Sequence, residues 1–170
     1  PEGKKVLMYA PTWRDDEFIK KGQYLFELKI NLENLYESIG EEYVILLRMH
    51  YLISNAIDLS GYENFAIDVS NYDDISELYL ITDALITDYS SVMFDYGILK
   101  RPQFFFAYDI EKYDKNLRGF YLDYVNDLPG PIIEDPFYLA DSLKDIDLIK
   151  ESYQDKIDEF YERFCSLEQG

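Results

Sequence analysis

Compact runs of unbroken apolar residues alternate along this chain with stretches whose apolar positions recur at helical spacing. Residues 5–10 (KVLMYA) form such a run, closed by Pro11, and read as a buried strand. A polar, irregular stretch follows to about residue 30. Leu32, Leu35, Tyr36 and Ile39 then fall at helical spacing, with Gly40 as a stop signal. Residues 43–47 (YVILL) and 64–69 (NFAIDV) predict two more strands. Residues 73–80 predict a short helix whose Asp73 and Asp74 suit its positive N-terminal end. Residues 84–87 (ALIT) predict a fourth strand, and 92–99 a strongly apolar helix ended by Lys100, Arg101 and Pro102. Residues 103–106 are a fifth strand. A Tyr-rich segment leads to Pro129-Gly130-Pro131, and one or two amphipathic helices fill 136–167. No internal repeat, low-complexity tract or Gly/Ser linker interrupts the series.

The strands are continuous apolar runs instead of alternating ones, which is how strands covered on both faces read. Interleaved with helices, they predict an α/β fold: a Rossmann-like parallel sheet with helices on both faces. Such a sheet takes its ligand outside the carboxyl ends of its strands. That edge collects Pro11 and Thr12 after the first strand, Arg48-Met49-His50 after the second, Asp68 near the third, and residues 88–91 (DYSS) after the fourth.

Composition narrows the ligand. The 170 residues amount to one domain. With 16 basic against 34 acidic residues the net charge is −18, a field that repels nucleic acid and anionic lipid. An anionic ligand must therefore be held by a few local donors in a defined pocket. The 17 Tyr and 11 Phe fit half-buried packing faces, and a recognition surface would use them equally well. Cys165 stands alone, so it forms no internal disulfide, and it reads as a small apolar residue in a reducing compartment. There is no signal-peptide pattern and no apolar run near the roughly 20 residues needed to span a bilayer. The expectation is a cytoplasmic domain, opening on a strand and ending within a helix, that belongs to a longer protein.

Several residues at the predicted edge admit two readings. Ser90 and Ser91 open a helix; they either cap it in the ordinary way or join its free amides in a phosphate cradle that needs no glycine or lysine. Asp95, four residues after Ser91, shares that helix face and is either a solvated carboxylate or an acceptor for ribose hydroxyls. His50, the single histidine, is either structural or, with Arg48 two residues earlier on the same strand face, a contact for phosphate that offsets developing charge. Arg14 and Arg118 are further anion donors in principle, but their loop positions favour a surface role. Asp15-Asp16 and Asp73-Asp74 read as solvated charge in so acidic a chain, and no metal site is expected. No P-loop, GxGxxG, HExxH or Cys/His cluster is present, which removes support for kinase, dehydrogenase and metallohydrolase readings.

Residues 9–15 (YAPTWRD), 47–50 (LRMH) and 83–95 (DALITDYSSVMFD) resemble the CDP-glycerol:poly(glycerophosphate) glycerophosphotransferases, and residues 118–121 (RGFY) and 129–131 (PGP) look like further marks of that family. The resemblance implies the C-terminal, donor-binding half of a GT-B fold. It implies that Pro11 and Thr12 line the donor site, that Arg48, Met49 and His50 reach the nucleotide and its diphosphate, that Ser90 and Ser91 cradle phosphate, and that Asp95 binds the nucleoside side. The implied reaction transfers glycerol phosphate from CDP-glycerol to a growing teichoic-acid chain with release of CMP. His50 would act catalytically through charge stabilisation, and a general base would come from the preceding half of the same enzyme. The implied partners are CDP-glycerol, as donor substrate and not cofactor, and a lipid-linked polyol-phosphate acceptor. No cofactor is expected, and the full-length enzyme would be peripheral on the inner membrane face. A CDP-ribitol or nucleotide-sugar GT-B transferase, and a non-catalytic nucleotide-binding module, are the alternatives.

Overall fold

The structure, a computed structural model, describes residues 3–12, 14, 28–50, 57–112 and 123–166. The five expected strands are present as β1 (Lys5–Tyr9), β2 (Tyr43–Leu47), β3 (Ala66–Asp68), β4 (Ala84–Thr87) and β5 (Gln103–Phe106), with an additional β6 (Ile132–Ile133). They form one six-stranded sheet in the order β3-β2-β1-β4-β5-β6. Every pairing is parallel, with Tyr9 opposite Leu47 on one side and Ile86 on the other. The chain steps outward from β1 to β3, returns to β4 beside β1, and steps outward again. Strand order thus reverses between β1 and β4, where a sheet of this kind opens a crevice.

Helices α1 (Leu32–Ile39), α2 (Ile75–Ile81), α3 (Val92–Gly97), α4 (Pro136–Lys144), α5 (Ile146–Ser152) and α6 (Gln154–Phe160) follow, and α6 runs into a π turn at Tyr161–Cys165. Alternate strand residues point to opposite faces. Leu7, Tyr9, Ile45, Leu47, Ile86 and Phe104 pack against α1 and α4. Met8, Leu46 and Leu85 pack against Leu78 and Tyr79 of α2 and Tyr96 of α3. Phe105 meets Met93 of α3 and Phe160 of α6 on that second face. Both faces are covered, so the apolar runs are unbroken. Among the described residues no helix is long and apolar enough to cross a membrane.

Local chemistry sets the boundaries. Asn31, Asp74 and Asp135 cap α1, α2 and α4, each accepting from a backbone amide of the first turn, and Pro136 follows Asp135 at a position whose N–H would be unsatisfied anyway. Arg101 does not serve α3, which it follows. Its Nη1 donates to the carbonyls of Tyr79 (3.3 Å), Leu80 (2.9 Å) and Thr82 (2.6 Å), closing the C-terminus of α2. β6 depends on Gly130: a Cβ there would lie 1.8 Å from the Gln103 carbonyl oxygen, so only glycine lets this segment approach β5.

Candidate functional site

The reversal point is organised by Asp88, the residue after β4, which is 1% exposed. Thr12 donates to its Oδ1 from both amide (2.8 Å) and hydroxyl (2.7 Å), and the Tyr89 amide adds a third bond at 2.6 Å. Thr87 donates from its hydroxyl to the Ala10 carbonyl at 2.7 Å. The segments after β1 and β4, with Pro11-Thr12 on one and Ser90-Ser91 on the other, are therefore fastened to each other.

Arg14 corrects the surface reading. It is 7% exposed, and its Nη1 lies 2.7 Å from Asp88 Oδ2. Nε and Nη2 donate to the two Asp109 oxygens at 2.7 and 3.0 Å, and Nη1 also donates to the Thr12 carbonyl at 2.8 Å. Its guanidinium stacks over Tyr108 and Tyr89, 4.8 and 5.7 Å from their ring centres. Burial works against its charge, but the bonds to Asp109 and the field of Asp88 outweigh it and raise its pKa. Tyr89 donates to Asp109 (3.3 Å) and Tyr124 to the Asp88 carbonyl (3.0 Å); burial is the first cause raising both phenols. Arg14 is spent on this lock and leaves no cation for a ligand. Arg118, Asp15 and Asp16 lie outside the described residues.

Arg48 and His50 follow β2, and Arg48 reaches toward the turn that precedes α2. Nη1 of Arg48 donates to the carbonyls of Val69 (2.8 Å), Ser70 (2.8 Å) and Tyr72 (2.7 Å), pinning the turn after β3. Those acceptors are neutral, so the positive charge persists at the edge. His50 is half-buried two residues further on. Met49 sits differently from its neighbours: its side chain is 5% exposed within the α1/α4 core, and its amide donates to Ser70 Oγ at 3.0 Å. Asp68 likewise serves the turn, accepting from the Ser70 amide at 2.9 Å.

The two serines divide the capping question. Ser90 Oγ accepts from the Val92 amide at 3.4 Å, a long contact, whereas Ser91 occupies the cap position with no side-chain cap bond and an exposed hydroxyl. Asp95 is exposed in the first turn of α3. The β2 and β4 ends flank β1, so His50 and Ser90 leave strands about 10 Å apart, within the length of a nucleoside diphosphate. Arg48 and His50 thus follow the strand on one side of β1, and Ser90, Ser91 and α3 with its Asp95 follow the strand on the other. Pro11 and Thr12 stand at the middle strand between them.

Elsewhere on the carboxyl edge, past β5 and β6, a cavity of about 670 Å³ is lined by Tyr108, Asp109, Glu111, Lys112 and Glu134. Three carboxylates against one ammonium give it the wrong sign for a diphosphate. Among the described residues no group of His, Cys, Asp and Glu is arranged to hold a metal ion, and Asp74 is occupied as a helix cap. No local sequence pattern announces the lock of Asp88, Arg14 and Asp109. The one available signal was the position of Asp88, immediately after a buried strand.

The family model for CDP-Glycerol:Poly(glycerophosphate) glycerophosphotransferase matches residues 1–170. A teichoic acid poly(glycerol phosphate) polymerase of Staphylococcus epidermidis is 74% identical over 170 residues, which is 100% of this chain and 24% of that protein. Among solved structures, a histidine-to-asparagine variant of the wall teichoic acid polymerase TagF superposes with a TM-score of 0.95 at 73% identity, covering 99% of this chain and 41% of the other. The same variant soaked with CDPG for 15 minutes gives 0.92 at 74% identity, with 98% and 40% covered. The chain therefore spans about a quarter of the curated relative's length and two fifths of the solved chains.

Proposed function

The chain belongs to the CDP-glycerol:poly(glycerophosphate) glycerophosphotransferase family, and from that premise we propose that its crevice seats CDP-glycerol for transfer of glycerol phosphate to a growing poly(glycerol phosphate) chain, with release of CMP. The observation that carries this reading is that Ser91, with no side-chain cap bond, and Arg48, bonded to neutral carbonyls, follow the strands on either side of β1 at the reversal point. The whole chain then acts as one donor-binding domain, the C-terminal half of a GT-B enzyme. The preceding half supplies the general base and meets a lipid-linked acceptor at the membrane's inner face.

The chemistry is displacement at phosphorus. A terminal hydroxyl of the acceptor attacks the phosphorus that carries glycerol, its proton leaves to the base, and the bond to the CMP oxygen breaks. Little covalent work falls to this domain; its contribution is positioning and neutralising charge. Ser90 and Ser91 donate to phosphate oxygens, Arg48 and His50 offset the negative charge that grows on the leaving phosphate, and Asp95 receives ribose hydroxyls. Pro11 and Thr12 form the wall, held by Asp88. Met49 contributes through its backbone, since its side chain lies in the core. Glycerol is preferred over ribitol because the relative at 74% identity is named for glycerol phosphate.

Calorimetry of the chain with CDP-glycerol, CDP-ribitol, UDP-glucose and CMP tests the reading. CDP-glycerol and CMP should bind, Ser91→Ala should weaken CDP-glycerol about 3- to 10-fold through one lost hydrogen bond, and the chain alone should turn nothing over. Ser91→Ala should leave stability within about 0.5 kcal/mol, since no cap bond is lost. Tight UDP-glucose binding would move the assignment to a nucleotide-sugar transferase, and silence with every nucleotide would leave a non-catalytic module.

A further inference from the structure

One buried hydroxyl near the crevice stands apart from its kind. Tyr79, on α2, is 6% exposed, and among the described residues its hydroxyl meets no hydrogen-bond partner. The other deeply buried tyrosines of this region do better: Tyr96 donates to the Thr82 carbonyl at 2.9 Å, Tyr124 to the Asp88 carbonyl at 3.0 Å, and Tyr89 to Asp109 at 3.3 Å. A buried phenol ordinarily finds a partner, and an unsatisfied one is a standing cost.

Its direction points to the ligand edge. α2 starts just past the carboxyl end of β3, and helical side chains lean toward their helix's N-terminus, so the phenol is carried back toward that edge. The ring packs edge-on against Tyr96 at 5.9 Å, in a cluster that includes Ala10, the residue before Pro11. Val92, the first residue of α3, and Leu99, two residues past its end, pack against the same cluster. Asp95, three residues after Val92 in α3, shares its side of the helix and flanks the seam where Tyr79 lies. Burial first, and then the Asp95 carboxylate, push the Tyr79 phenol up to about 12, with Arg48 pulling the other way. The proton is therefore retained at neutral pH, and the group can donate. An enclosed hydroxyl cannot itself touch a nucleotide, but an exposed aspartate on two rotatable bonds can turn to meet it.

We propose that Tyr79 is a positioning residue for Asp95: its phenol donates to the Asp95 carboxylate and fixes it to receive the ribose diol of the bound nucleotide. This rests on the donor-site reading above. A phosphate suits the phenol less, because the Asp95 carboxylate beside it repels phosphate and acts on it more strongly than Arg48 does. A diol suits the pair, since it supplies the hydroxyl protons that a carboxylate accepts.

The test is titration of CMP and of 2′,3′-dideoxy-CMP into the wild-type chain, Tyr79→Phe, Asp95→Ala and the double variant. Tyr79→Phe should weaken CMP about 3- to 10-fold, leave dideoxy-CMP binding unchanged, and add nothing to Asp95→Ala in the double variant, as coupled residues do. Its Tm should be equal or higher by a few degrees, since an unsatisfied buried hydroxyl is removed. Equal weakening of both nucleotides, additivity with Asp95→Ala, or a Tm lowered by several degrees would each overturn the positioning role. CMP binding that is intact and indifferent to Tyr79→Phe overturns this inference alone. Failure of the wild-type chain to bind either nucleotide overturns the donor-site reading, and this inference with it.

Discussion

Replacing Asp88 by asparagine probes how the crevice is held. Its Oδ1 takes three donors at 2.6 to 2.8 Å, and its Oδ2 lies 2.7 Å from Arg14 Nη1, with both side chains at most 4% exposed. Asparagine keeps an oxygen for the three donors but sets an amide NH₂ against the guanidinium. Breaking a buried ion pair on one side costs about 3–5 kcal/mol. Arg14 keeps its two bonds to Asp109 at 2.7 and 3.0 Å, which holds the loss to the low end. Turning charge-assisted bonds to Oδ1 into neutral ones adds about 1 kcal/mol. The expected total is about 4 kcal/mol, a large part of the roughly 5–15 kcal/mol typical of a domain. Urea unfolding followed by circular dichroism should show the midpoint falling with the slope unchanged, and Tm should drop by about 8–16 °C. A loss below about 1 kcal/mol would refute the reasoning, because Asp109 alone would then suffice to neutralise the buried arginine.

Two further outcomes follow from the packing. Gly130→Ala places a Cβ 1.8 Å from the Gln103 carbonyl oxygen, where only backbone can yield; the loss should reach or exceed about 3 kcal/mol. Hydrogen exchange should speed at the Phe105 and Ala107 amides, which donate to Pro131 and Ile133, and unchanged protection there would contradict the account. Alkaline pH should unfold the chain early, because Tyr79, Tyr89, Tyr96 and Tyr124 all have raised phenol pKa values, burial being the first cause in each. Raised folded values mean their stabilisation is whole below the unfolded value of about 10 and is lost as pH climbs, for Tyr79 through about 12, at about 1.4 kcal/mol per pH unit for each group. Stability that stays flat from about pH 9 to pH 11 in urea titrations would reject it.

The fold was legible because its physics is local. A parallel strand covered on both faces is apolar at most positions, and five such runs stand in the chain with the strand bounds nearly as observed, β3 being shorter at both ends. The two residues of β6 carry no periodic signal; their pairing depends on the missing side chain of Gly130 against β5. The stretch after residue 136 reads as one or two helices because apolar spacing persists across Asp145 and Tyr153, where the chain breaks its helix into α4, α5 and α6. Arg101 hides its role in a related way: sequence proximity favours α3, but its reach is to carbonyls about 20 residues back.

The site was legible only as an address. A parallel sheet delivers every strand's carboxyl end to one edge, so Pro11, Thr12, Arg48, His50, Ser90 and Ser91 could be nominated together without knowing any contact. What each does there depends on pairings across long separations. Arg14 meets Asp109 across 95 positions and Thr12 meets Asp88 across 76, and no local pattern encodes either. Those pairings sort the nominees by what is already satisfied. Arg14 and Asp88 satisfy each other and build the frame, and Met49 is spent on the core. Ser91 keeps its hydroxyl, and Arg48 keeps its charge against neutral carbonyls. In a chain of net charge −18, an anionic ligand can be held only by groups left over after the fold is satisfied, and these two follow the strands that flank β1, where the strand order turns.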